Sequence, residues 1–259
     1  MAKSCPASLT LSPTARTVGR MVRPIVALFL ATSLLPAQEK GQQAPPVRDL
    51  GGGKFEVGLV TFHQKSREIS FPAELNMREG PLEYAIVHEN GKIHESLLHT
   101  KTRPFHVNIA LKLLGYKESK ELFPILDEDY RPTGKFPKVP EATKVAARAS
   151  IHLEWKDDEG KKRTATLNEL VTHTTTNKPL DPKPWVYGGS YIHDSVFQAE
   201  AAGDIVALFT NNASLFNWSG RDGQLDDVWL PTTKRLPAVG TKFSVIIKPF
   251  VQAKPKPGA

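Results

Sequence analysis

Apolar and polar residues alternate in short runs along most of the chain, the period-two pattern of strands with one buried face. KFEVGLVTF (54–62) and REISFPAEL (67–75) predict two strands joined by a tight polar turn at His63–Ser66. LEYAIVH (82–88) and KIHESLLHT (92–100) flank Asn90-Gly91. That dipeptide favours the φ > 0 turn that matches strand twist, so an antiparallel hairpin is expected there. SIHLEWK (150–156) and KRTATL (162–167), around DDEG, predict a second hairpin. WVYGGSYI (185–192), VFQAEAA (196–202) and DIVALFT (204–210) read as further strands, and KFSVIIKPF (242–250) as the closing one.

One stretch changes period. Between Pro104 and Gly115, Val107, Ala110, Leu111 and Leu114 recur at helical spacing, and Ile109 and Leu113 widen the stripe. Pro104 suits a first helical turn and Gly115 an end. Thr166-Leu167-Asn168-Glu169 has capping-box spacing for a short helix at 167–173. Residues 117–149, with Pro124, Pro132, Pro137 and Pro140, predict a loop. Antiparallel hairpins with few helices, and no βαβ alternation, imply an α+β fold: an antiparallel, β-hairpin-rich sheet with a few short helices packed on it.

The ends differ from the body. Residues 1–37 carry Lys3, Arg16, Arg20 and Arg23 and no acid, then the apolar run PIVALFLATSLLPA. A basic start, a short apolar core and a small residue before Gln38 predict a signal peptide, with Met21 an alternative start. Residues 38–53, QEKGQQAPPVRDLGGG, predict a flexible linker. Residues 54–250 are expected as one domain, and 251–259 as a frayed Pro/Lys tail. Loss of the leader removes four cations and no acids, so the net charge falls from +7 to +3. That weakens any nucleic-acid reading. It also removes Cys5, the chain's single cysteine, leaving no thiolate nucleophile and no disulfide. The expected product is periplasmic or secreted, with no transmembrane span after leader removal.

Candidate chemistry centres on NGKIHESLLHT (90–100). With Asn90-Gly91 as a two-residue turn, Val87 faces His94 and Ile86 faces Glu95. Glu95 then shares a face with Tyr84, Ile86, Ile93 and Leu97, and His94 lies on the other. An ionised carboxylate on an apolar face needs a partner; kept protonated, it can serve as a general acid. Glu95 and His94 are therefore the candidate catalytic acid–base groups, with a structural role for each as the alternative. Ser96, His99 and Ser190 are candidate ligand-binding positions. His94 and His99 are five apart, an odd separation that sends them to opposite faces of a strand, so no metal site is expected and no cofactor. YGGSY is not the Gly-x-Ser-x-Gly nucleophile motif, because position 192 is Ile.

Several blocks resemble the YdjY-domain family of exported bacterial proteins. LEYAIVHENGKIHESLLHTKTRPFHVNIALKLLG resembles its first block, where a Gly-Lys-x-His-Glu-Ser run leads into a helix ending Leu-Leu-Gly. NELVTHTTTNKPLDPKPWVYGGSYI resembles the second, with Tyr187 as its aromatic and Gly189-Ser190 as its pair. GDIVALFTNNASLF and PAVGTKFSVIIKP resemble the third and last. Asn177 departs from an expected glycine. The resemblance implies a secreted or periplasmic domain and no established reaction. The expected function is a non-catalytic module that binds an envelope protein or a small ligand, and not nucleic acid. The alternative is an envelope hydrolase or lyase using Glu95 and His94.

Overall fold

The structure is a computed structural model that describes residues 46–251. The leader expected at 1–37, part of the expected linker and residues 252–259 lie outside the described residues. Pairing begins earlier than expected. β1 (Arg48–Gly51) lies inside the stretch read as linker and pairs antiparallel with β2 (Lys54–Val57). The single strand expected over 54–62 is a hairpin. Gly58, at φ +57, turns the chain so that Val57 faces Val60 at the start of β3 (Val60–His63). A Cβ at Gly58 would strike the His106 ring, a second reason for glycine there. The polar turn after β3 leads into β4 (Glu68–Leu75), as the sequence predicts.

The next pair overturns the Asn-Gly hairpin. β5 (Tyr84–His88) and β6 (Ser96–Thr100) lie side by side but parallel, with Tyr84 opposite Ser96, Ile86 opposite Leu98 and Val87 opposite His99. The chain leaves β5, makes one 3₁₀ turn at Ile93–Glu95, and returns to the level where β5 began. Gly91 explains the misreading, because it does not take a positive φ. Its backbone lies against Gly203 and Ala202, and a Cβ would meet Ala202 O at 2.9 Å and Gly203 Cα at 3.3 Å. The glycine serves close backbone approach, which sequence alone does not distinguish from turn chemistry.

α1 (Pro104–Leu113) forms where the period changes, burying Val107, Ala110 and Leu111. Glu200 caps its start from a distant segment: its carboxylate accepts the Phe105 N–H at 3.0 Å and pairs with Arg103. Within the expected loop 117–149, α2 (Glu141–Ala147) leads directly into β7 (Arg148–Lys156). β8 (Lys162–Thr166) pairs back on β7 as predicted. The capping box of Thr166 and Glu169 is present but starts only a 3₁₀ turn, Leu167–Leu170. Then follow β9 (Val171–His173), β10 (Lys178–Pro179), β11 (Trp185–Tyr187), β12 (Ile192–His193) and β13 (Val196–Phe197). The strand expected over 196–202 stops at Phe197, and α3 (Gln198–Ala202) takes the rest. β14 (Asp204–Ala207), β15 (Phe216–Trp218), β16 (Trp229–Pro231) and β17 (Lys242–Pro249) complete the described chain.

Eight of these strands close into a barrel, in the order β4-β17-β7-β11-β15-β14-β5-β6, with β6 pairing back onto β4. The α+β expectation is therefore wrong. The described residues are mostly β with three short α-helices, and their main sheet is a closed ring, not a layer with helices packed on it. Inward residues match across the ring. Leu75 faces Leu98, Leu98 faces Ile86, Ile86 faces Val206, and Val206 faces Phe216. Tyr187, Trp185, Ile151, Ile247 and Ile69 continue the circuit, all buried. An eight-stranded barrel is just wide enough for side chains to fill or for one small ligand, and here buried side chains fill it.

Gly91→Ala tests the crossover. The added methyl meets backbone on two sides, so stability should fall by roughly 1–3 kcal/mol. Equilibrium urea unfolding measures it, and an unchanged midpoint would refute the close approach.

Candidate functional site

A small cluster of buried aromatic and polar residues lies on the outer wall of β5 and β14. Tyr84, Val87 and Ala207 form a small buried cluster there with Phe209, apart from the barrel interior. Asp204, at the start of β14, is buried beside them. Asn211 Nδ2 donates to Asp204 Oδ2 at 2.9 Å and to Tyr84 Oη at 3.1 Å. The Asn211 N–H in turn donates to Asn217 Oδ1 at 2.7 Å. Burial pushes the Asp204 carboxyl up to about 6, with the Asn211 amide pulling it back. Burial and the nearby Asp204 charge push the Tyr84 hydroxyl up to about 12. Asp204 Oδ1, Asn217 Nδ2 and Ser214 Oγ are buried without a hydrogen-bond partner.

Above this cluster the chain reaches solvent through charged side chains. Lys92 Nζ lies 5.2 Å from the Tyr84 ring centre and 3.4 Å from Glu83 Oε2. Burial, then a hydrogen bond with Glu95, holds the Glu83 carboxyl above the usual range. Glu95 Oε1 is 2.8 Å from Nε2 of the exposed His94. The two residues predicted on opposite faces of a strand are thus together, because residues 93–95 are a 3₁₀ turn and not a strand. They touch each other, Glu83 and solvent. Ser96 is fully buried, its hydroxyl donating to Lys92 O at 2.6 Å. His99 lies in the β6 ladder opposite Glu74. Ser190 is buried at φ +61, and its Oγ accepts the Ala199 N–H at 2.9 Å. Ser96 and Ser190 therefore hold backbone in place, and the five predicted residues do not share one site.

The largest of four cavities among the described residues lies elsewhere. About 730 Å³ opens between α2, the strap 182–184 and Phe250, lined by Leu122, Val145, Pro182, Pro184 and Phe250 with Glu121, Arg148 and Lys183. Asn168 fixes the strap. Its Nδ2 donates to Asp181 O at 2.7 Å and Lys183 O at 3.1 Å, while its Oδ1 accepts the Trp185 indole N–H at 2.9 Å. On the strap's other side a cavity of about 250 Å³ is bordered by His173, Trp218, Trp229 and Arg221. His173 Nδ1 accepts the Thr175 N–H at 3.1 Å, so Nε2 carries the proton given to Asp222 Oδ2 at 2.8 Å. Both ring nitrogens are occupied, leaving His173 a structural residue. Among the described residues no three His, Cys, Asp or Glu side chains converge as a metal ion needs, and no helix is long and apolar enough to cross a membrane.

Fold and cavities define a filled, mostly β barrel whose ligand-sized space lies outside the ring. Residues 60–248 match the YdjY domain, most of the chain, and the chain belongs to that family. Neither the curated proteins nor the solved structures contain a match. Sequence reasoning missed Asp204, Asn168, Glu121 and Arg148. Only Asp204 carried a signal, as a carboxylate opening the apolar run Asp204–Phe209.

Asp204 makes the fold sensitive to pH. In the unfolded chain its proton leaves near pH 4, and in the fold near 6. Between those values the native state binds more protons, so stability falls as pH rises. The shift corresponds to about 3 kcal/mol, fully lost above pH 6. In Asp204→Asn that decline should vanish from unfolding free energies measured between pH 4 and 7. Parallel profiles for the two proteins would refute it.

Proposed function

We propose that this YdjY-domain protein is an exported, non-catalytic binding module that holds a small amphiphilic ligand against the outside of its barrel. The observation that carries the reading is the 730 Å³ cavity. Its volume falls within the roughly 300–1,000 Å³ of small-molecule sites. Its lining is mainly apolar, with Arg148 and Lys183 as a polar edge. Two of its walls are held firmly, β7 by the barrel ladder and the strap by Asn168. The export half of the reading rests on the basic start and apolar run of residues 1–37.

The acid–base alternative has less support. Glu95 and His94 line none of four cavities, of about 730, 400, 340 and 250 Å³. A general acid must sit within hydrogen-bond reach of a substrate atom. Glu95 Oε1 instead pairs with the exposed His94, and its Oε2 is buried without a hydrogen-bond partner, away from those cavities.

The amphiphile 8-anilinonaphthalene-1-sulfonate serves as a probe, since its fluorescence rises in an apolar site. Saturable binding is expected. Val145→Trp, at an exposed helix position on the cavity mouth, should weaken it at least tenfold with an unchanged melting temperature. Non-saturable binding, or equal affinity in the variant, overturns the cavity reading. The intact mass of protein recovered from the envelope fraction should begin at Gln38, and a retained leader would overturn export by cleavage.

A further inference from the structure

Lys183 is the unusual member of the large cavity's lining. The other charges at that cavity cancel. Glu121 Oε2 lies 3.3 Å from Arg148 Nη2 and 3.7 Å from Lys144 Nζ, and Arg148 Nη1 lies 3.4 Å from Glu141 Oε1. Two acids therefore balance Lys144 and Arg148. The cation left over is Lys183, which is exposed and forms no ion pair among the described residues. Asp181, the acid nearest to it in sequence, borders the smaller cavity with His173 and Trp229.

Most surface lysines are only solvated, and what sets Lys183 apart is a fixed backbone beside an apolar wall. Pro182 before it has a locked φ, and Pro184 after it restricts Lys183 itself to extended backbone. Its N–H donates to Asp181 O at 2.7 Å, and its carbonyl accepts Asn168 Nδ2 at 3.1 Å. The side chain thus starts from one place on the cavity lining, and less freedom is lost when its ammonium meets a partner. Leu122, Val145, Pro182, Pro184 and Phe250 supply the apolar part of the same lining. Ligand sites combine such surface with a few polar groups that fix orientation. Low-dielectric walls also strengthen the field of a lone cation relative to open water. A cationic ligand is repelled by that field, and a neutral one gains nothing from it. An anion gains, and one charge is there to be matched. A phosphate monoester carries nearly two charges at neutral pH, so a carboxylate is the better match.

We propose that the cavity selects a monoanionic amphiphile, an apolar carboxylate whose acid group pairs with the Lys183 ammonium while its body lies on the apolar lining. The proposal rests on the cavity being the ligand site and adds the charge that orients the ligand there. Arg148, engaged by Glu121 and Glu141, holds the wall; Lys183 makes the contact.

2-Naphthoate and 2-naphthamide have nearly the same shape and differ in charge. With the full chain at an ionic strength of about 0.01 M, naphthoate should bind roughly fivefold more tightly, the upper range for an exposed ion pair. The ratio should shrink toward unity at about 1 M salt, where screening acts within about 3 Å. It should be lost in Lys183→Met, which keeps the stem at an exposed position, and should return in Lys183→Arg. Lys54→Met removes the same charge from β2, beside a different cavity, and should leave the ratio unchanged. Equal affinity of the two probes for the unaltered protein overturns the proposal while leaving the cavity reading standing, and needs no variant to be decisive. A preference that persists in Lys183→Met overturns it, since another cation would then be responsible. Equal loss in Lys54→Met overturns it as well, since net charge alone would then explain the preference. Tighter binding of 2-naphthyl phosphate than of naphthoate would assign the site to a dianion, against the proposal. Saturable binding of neither naphthoate nor naphthamide defeats the cavity reading and the proposal with it.

Discussion

Closure of the sheet between β4 and β6 is the constraint on which the rest of the molecule depends. The ladder there is short, with Glu74 opposite His99 and Leu75 opposite Leu98. Other bonds lengthen the seam. The Asn76 N–H donates to Leu97 O at 2.9 Å, Asn76 Nδ2 to Ser96 O at 2.8 Å, and Thr100 Oγ1 to Pro72 O at 2.5 Å. A closed ring has no exposed edge and gives every inward side chain a neighbour on both sides. β6 reaches β4 antiparallel because it runs beside β5 in the same direction. The Gly91–Gly203 contact makes that arrival possible within the seven residues 89–95. Parallel neighbours are ordinarily joined by a dozen residues or more.

A filled ring leaves function to its outside. Trp185, Trp218, Tyr187 and Phe216 occupy the interior at one side, and aliphatic residues of β4, β17 and β7 occupy the other. The segments wrapped around the barrel make the space that remains. Asn168 ties the strap 182–184 to the wall, and residues of that strap and its neighbour Asp181 border two of the cavities. The outer polar cluster of Asp204, Asn211 and Tyr84 belongs to the same wrapping, where the segment after β14 folds back over β5. Its buried carboxyl ties stability to protonation, and it lies outside the cavities described.

Much of the local structure was legible in the sequence, and the topology was not. Alternation located β4, β7, β8 and β17, and the helical stripe located α1, because each depends on neighbours within one element. The family was legible from several separated blocks in one order. Closure depends on pairing between residues far apart, such as Glu74 with Lys242 on one side and His99 on the other, and no local period encodes it. Gly91 misled because glycine answers two demands, a positive φ or a missing Cβ, and the second needs knowledge of Gly203. Glu95 and His94 were placed by the wrong turn, so their adjacency appeared only with the 3₁₀ segment. Glu121 and Arg148 were illegible because the stretch holding them shows no period, and α2 gains its place from tertiary contact.

The most direct test of the closed ring is a disulfide engineered across its seam, in a chain whose single native cysteine, Cys5, is changed to serine. Directly opposed antiparallel residues have Cα atoms about 4.5–5.5 Å apart, within disulfide reach. Glu74→Cys with His99→Cys should form an intramolecular bond under mild oxidation, seen as the loss of two hydrogens in the intact mass of the folded monomer. The hairpin register offers the control, Val87→Cys with His94→Cys, which should stay reduced. Free thiols at 74 and 99 together with a bond between 87 and 94 would contradict the barrel and restore the open hairpin sheet.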